Sequence, residues 1–161
     1  MIVDAHEDLA WNMLTFGRDY LHSVAETRRR ERETQVPALN GDAMLGWPDY
    51  QAGGVGLVFA TLFASPMRRC TGNWDKLCYE DGRGAGKLYR DQIDLYNRLT
   101  DDHPDKFRLV RSVNDLDSVL RAWETPPVIA ETGDVQCGNP VGLVFLMEGA
   151  DGVSDPNELD E

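Results

Sequence analysis

Val55-Gly56-Leu57-Val58-Phe59-Ala60-Thr61-Leu62-Phe63 (VGLVFATLF) is a near-continuous apolar run, bounded by Gly53-Gly54 before it and Pro66 after it. Val141-Gly142-Leu143-Val144-Phe145-Leu146-Met147 (VGLVFLM) repeats the pattern and runs directly into Glu148-Gly149-Ala150-Asp151. A strand with one wet face alternates apolar and polar residues. A run without alternation is read as a strand buried on both faces, the usual state of a parallel sheet covered by helices. Ile2 to Ala5 predicts a third, brief buried strand at the very start.

Between these strands the periodicity changes to helical. Leu9, Met13 and Phe16 follow the first strand at near-helical spacing. Tyr89, Ile93 and Tyr96 fall at i, i+4 and i+7 within Leu88–Leu99, and His103-Pro104 ends that helix. Ser112 with Asp115 three residues on resembles a capping box before Leu116, Val119, Leu120 and Trp123. Phe107–Val110 is a short strand candidate. Residues 40–54 and 126–140 read as turn-rich loops, and Gly82–Gly86 as a flexible segment. The run Glu26–Glu33 (ETRRRERE) reads as a solvated face able to pair Arg29 with Glu33. The long elements run strand, helix, loop, strand, helix, helix, strand, which predicts an α/β fold with parallel strands.

Composition narrows the functional classes. The chain has 161 residues, 16 Lys plus Arg and 28 Asp plus Glu, for a formal charge of −12. Such acidity repels phosphate backbones and anionic lipid, so neither nucleic acid nor a membrane is an expected partner. No apolar run reaches membrane-helix length, and the N-terminus lacks the basic start of a signal peptide. Cys70, Cys78 and Cys137 cannot all pair and are not spaced C-x-x-C. The expectation is free thiols in a reducing compartment, with cytoplasmic as the default location. Six acids and no base occupy residues 148–161. Asp155-Pro156-Asn157-Glu158 has the marks of a helix start, close to the end of the sequence. That combination predicts the front part of a longer protein.

The chemistry-bearing motif is His6-x-Asp8 after the first strand. In an extended segment positions i and i+2 project to one side, so imidazole and carboxylate can meet one ion, and zinc accepts both ligand types. The pattern alone is weak, because His103-x-Asp105 is a second copy after a helix, best read as a solvated turn. Context separates the two. The first follows an apolar strand, and Glu148 stands in the same relation to strand 141–147. Parallel strands would therefore bring potential ligands to one end of the sheet, where α/β folds build their sites. The competing reading makes Glu148 a loop cap and His6 a hydrogen-bonded core histidine. On pattern alone the two stand level. Gly82-Arg83-Gly84-Ala85-Gly86-Lys87 fails as a phosphate loop, since Leu88 follows the lysine and Asp81 takes the place of the first glycine.

Three stretches together resemble the membrane dipeptidase family (renal dipeptidase-like, peptidase family M19). They are Val3-Asp4-Ala5-His6-Glu7-Asp8-Leu9-Ala10-Trp11, Ala52-Gly53-Gly54-Val55-Gly56, and the strand entering Glu148-Gly149-Ala150-Asp151. The resemblance implies a zinc metallopeptidase built as a (β/α)8 barrel with two zinc ions at its C-terminal mouth. Residues 1–161 would form the N-terminal part of that single domain, roughly its first three βα units. His6 and Asp8 would bind the first metal. Glu148 would bridge both, as ligand and catalytic carboxylate. The implied substrate is a dipeptide, with a D-residue tolerated at its C-terminal position. The remaining ligands for the second metal and the substrate-binding residues would lie beyond residue 161, so this segment alone is expected to be incomplete and inactive. Two other readings compete: a non-catalytic half-barrel module hiding its sheet edges by self-association into a homo-oligomer, and a related metal-dependent hydrolase of another amide.

Overall fold

The computed structural model describes residues 1–153 and 155; the helix start expected at 155–158 lies, Asp155 apart, outside the described residues. The elements in chain order are β1 (Ile2–Glu7), α1 (Leu9–Phe16), α2 (Val24–Glu31), α3 (Val36–Asn40), α4 (Trp47–Gly53), β2 (Val55–Phe63), β3 (Ser65–Pro66) and β4 (Cys78–Tyr79). There follow α5 (Gly82–Asp102), β5 (Phe107–Leu109), α6 (Val113–Ala122), β6 (Val128–Ile129), β7 (Val135–Cys137) and β8 (Val141–Glu148). The fold is mixed α/β around a four-stranded sheet of order β1-β2-β8-β5, parallel at every pairing.

The two apolar runs form the centre of that sheet. β2 and β8 pair without interruption from Leu57↔Gly142 to Phe63↔Glu148. Val58, Ala60, Val141 and Leu143 are fully buried. β5 pairs only the lower part of β8, Phe107–Leu109 against Val141–Leu143. Although β5 precedes β8 in the chain, it lies outside it, so sheet neighbours are not simply consecutive.

α5 covers the sheet with the stripe Ala85, Tyr89, Gln92, Tyr96 and Leu99, all buried. The spacing i, i+4, i+7, i+11, i+14 is the helical period continued over four turns. Gln92 makes the polar join: its Nε2 donates to Phe63 O and its Oε1 accepts from Phe63 N, which satisfies the end of β2.

Several local expectations are corrected. Gly82–Gly86 is the first turn of α5, with Asp81 accepting from Gly84 N at 2.8 Å. The small residue at 86 is needed because a Cβ there would meet Gly152 O at 2.9 Å. Residues 40–54 hold α4, which has Pro48 in its first turn and ends on Gly54 at φ 70°, the left-handed position that suits glycine. The 126–140 connection holds the antiparallel β6–β7 hairpin. In the arginine-rich run Arg29 and Arg30 both pair with Glu26 rather than with Glu33. Glu31 is buried and takes Arg18 at 2.8 and 3.1 Å, so this helix is anchored and not merely solvated. Ser112 caps α6 as expected, accepting from Asp115 N. Finally, Cys70 and Cys78 form a disulfide, against the expectation of three free thiols; Cys137 is free and exposed. The parallel pairing Ser65↔Cys78 returns the chain beside the turn that ends at Cys70, which brings the two Cα atoms to 6.2 Å. No helix among the described residues is long and apolar enough to cross a membrane.

Candidate metal centre

β1, β2 and β8 run parallel, so their C-terminal ends share one edge of the sheet. His6 and Glu148, 142 positions apart, meet there with Nε2 and Oε2 at 3.1 Å. Asp8 joins them: one ligand atom from each of His6, Asp8 and Glu148 lies within 4.8 Å of the others. His6 and Glu148 side chains are half-exposed. His103 and Asp105, the second copy of the motif, belong to no such group among the described residues.

The register shows how His6 is aimed. Asp4 pairs with Val58 and Glu7 with Ala60, so β1 spends three steps where β2 spends two. The extra residue is a bulge across Ala5 and His6, a feature that re-aims side chains and is rare in parallel pairs. Asp4 Oδ1 accepts from His6 N at 3.0 Å and holds the bulged backbone.

Asp8 sits at the N-cap of α1, yet its side chain makes no capping bond. The donor it would normally satisfy is served elsewhere, since Ala10 N donates to Tyr96 Oη at 3.0 Å. Tyr96 in turn donates to Thr61 O at 3.0 Å, tying α1 and β2 to α5. The Asp8 carboxylate is therefore left for the mouth of the sheet, steadied by the Thr61 hydroxyl and by the positive end of α1. Thr61 is fully buried, a positioning residue that sequence reading passed over. Its signal was present: it is the one hydroxyl in VGLVFATLF.

Glu7 points the other way. It is 5% exposed and accepts a short hydrogen bond from the Tyr50 hydroxyl, while Oε1 is buried without a partner among the described residues. Burial pushes its pKa up to about 8, with the Tyr50 hydrogen bond opposing the rise. On the open side the His6 pKa is raised, first by its hydrogen bond to Glu148 and then by the nearby charges of Asp8, Glu148 and Asp4, against a desolvation effect that lowers it. Glu148 is located from behind by Tyr89, whose hydroxyl donates to Glu148 O at 3.2 Å.

One imidazole and two carboxylates are a donor set that suits zinc or a similar borderline cation, and their mutual distances fit one ion. Among the described residues no further group of ligands surrounds Glu148 to complete a second ion. The chain matches no protein-family model and no curated protein.

Proposed function

We propose that this chain contributes the first metal-binding half of a zinc-dependent dipeptidase, a partial (β/α)8 barrel wall whose strand ends carry the site. The observation that supports it most is the meeting of His6, Asp8 and Glu148 at the ends of parallel strands. His6 and Asp8 would hold one cation and Glu148 would face both positions of a two-zinc centre. A cation there supplies positive charge that polarises an amide carbonyl and makes water acidic enough to attack near neutral pH. The protein's own part is placement. The bulge aims His6, Thr61 orients Asp8, and Tyr89 fixes the backbone that carries Glu148. Before His6 can ligate it must give up the proton that Glu148 favours, so binding is expected to weaken on acidification.

Turnover requires ligands and substrate contacts beyond the described residues. The test is hydrolysis of dipeptides, with L- or D-residues at the C-terminal position, by the polypeptide that carries this segment. Activity should vanish with a chelator, return with Zn²⁺, and be absent from the His6→Ala, Glu148→Ala double variant. Wild-type rates from that variant would sink the proposal. Metal binding without dipeptide turnover would instead favour a hydrolase of another amide.

A further inference from the structure

A second, separate cluster of ligand atoms lies in the loop between β3 and β4. Cys70, Asp75 and Cys78 each present one ligand atom within 4.8 Å of the other two. They line one cleft of about 360 Å³ together with Met67, Gly72 and Asn73. Cys70 ends the turn Met67–Arg69, Cys78 opens β4, and Asp75 stands in the loop between them. In the disulfide form both sulfurs are spent on each other.

We propose that this loop is a redox-gated site for a thiophilic divalent cation such as Zn²⁺, closed while Cys70 and Cys78 are bonded and opened by reduction. A dithiol supplies the reduction. Two electrons and two protons pass to the Cys70–Cys78 bond, which breaks to two thiols, while the dithiol closes to its own disulfide. Each thiol then loses its proton to solvent as its sulfur binds the cation. Two thiolates select a soft or borderline cation over calcium or magnesium, and Asp75 supplies the third ligand. The fourth position stays open to the cleft.

Preorganisation supports the assignment. Asp75 Oδ1 accepts from Trp11 Nε1 and from Leu77 N, each at 3.0 Å, so its carboxylate is oriented before any ion arrives. Trp74, one residue earlier, stacks on Phe16 at 5.5 Å and meets Trp11 edge-on at 6.2 Å. These contacts root the middle of the loop on α1, so the sulfurs have only to part by side-chain rotation. A Cα separation of 6.2 Å is short enough for both to reach one ion.

The experiment is a Co²⁺ titration of the chain carrying His6→Ala and Glu148→Gln, which removes the strand-end cluster. It is run oxidised and after reduction with a non-chelating phosphine. The reduced chain should take up one Co²⁺ with a thiolate-to-cobalt charge-transfer band, and added Zn²⁺ should displace it. The oxidised chain should show no band. Cys70→Ser and Cys78→Ser should abolish the band and Cys137→Ser should keep it. Asp75→Asn should weaken binding by at least about tenfold. If either cysteine variant fails to fold, the oxidised and reduced forms of the same chain make the comparison without it. No band after reduction, equal bands in both redox forms, a band retained by Cys70→Ser, or undiminished affinity in Asp75→Asn overturns the proposal.

Discussion

His6-Glu7-Asp8 places three ionisable groups in a row, and the two sides of that stretch behave as different solvents. His6 and Asp8 turn toward Glu148 at the open end of the sheet. Glu7 turns into the core against Tyr50. On the open side the charged form of His6 is favoured by its hydrogen bond to Glu148 and by the nearby carboxylates, whereas on the closed side burial first, and the neighbouring Asp4 after it, drives Glu7 toward neutrality. The lesson is that one strand end can hold an imidazole whose charged form is favoured and, next to it, a carboxyl group driven toward neutrality, because the two face different surroundings.

The largest expected effect is on the closed side. Folded Glu7 keeps its proton up to about pH 8, while the unfolded chain releases it near the ordinary value of 4.5. Between those values the unfolded state binds fewer protons, so stability is greatest at the acid end and falls as pH rises through about 8. The loss, in the metal-free chain relative to Glu7→Gln, should reach roughly 3–5 kcal/mol in urea titrations across that window. A parallel pH profile in both chains would break the contrast.

Next in size is Tyr50→Phe. It removes the donor to a buried carboxyl, costs about 1–3 kcal/mol, and should raise the Glu7 pKa further, as read by carbon-detected NMR titration. Thr61→Val keeps the volume and removes the hydroxyl shared by Asp8 and the Glu7 carbonyl. About 1 kcal/mol of stability should go, and Zn²⁺ affinity at the strand ends should fall by about tenfold. The smallest stability effect belongs to the open side. Glu148→Gln should change unfolding free energy by no more than about 0.5 kcal/mol, yet lower the His6 pKa toward its ordinary value in an imidazole NMR titration.

What could be read in advance follows the physics of each signal. VGLVFATLF and VGLVFLM were legible because a strand buried on both faces must be apolar throughout; they became β2, buried along most of its length, and β8, buried over Val141–Leu143 and partly exposed beyond. Their parallel pairing made the meeting of His6 and Glu148 foreseeable. The bulge at Ala5–His6 was not, since it is a property of two strands in register and not of one. α4 was hidden by its Gly, Pro and Asp content, although Pro48 and Gly54 are the residues that begin and end helices. The burial of Glu31 depended on Arg18, thirteen positions earlier, and a local charge pattern cannot show such a partner. Cysteine spacing is equally silent, because a disulfide needs Cα proximity, which here came from the β3–β4 pairing.

The central claim is that His6, Asp8 and Glu148 hold one divalent cation. Calorimetric titration of Zn²⁺ into the chain with Cys70–Cys78 oxidised tests it with the loop cluster silenced. One ion per chain is expected, with affinity reduced by more than about tenfold in each of His6→Ala, Asp8→Ala and Glu148→Gln. Equal binding in all four chains, or none in the unsubstituted chain, would contradict the claim.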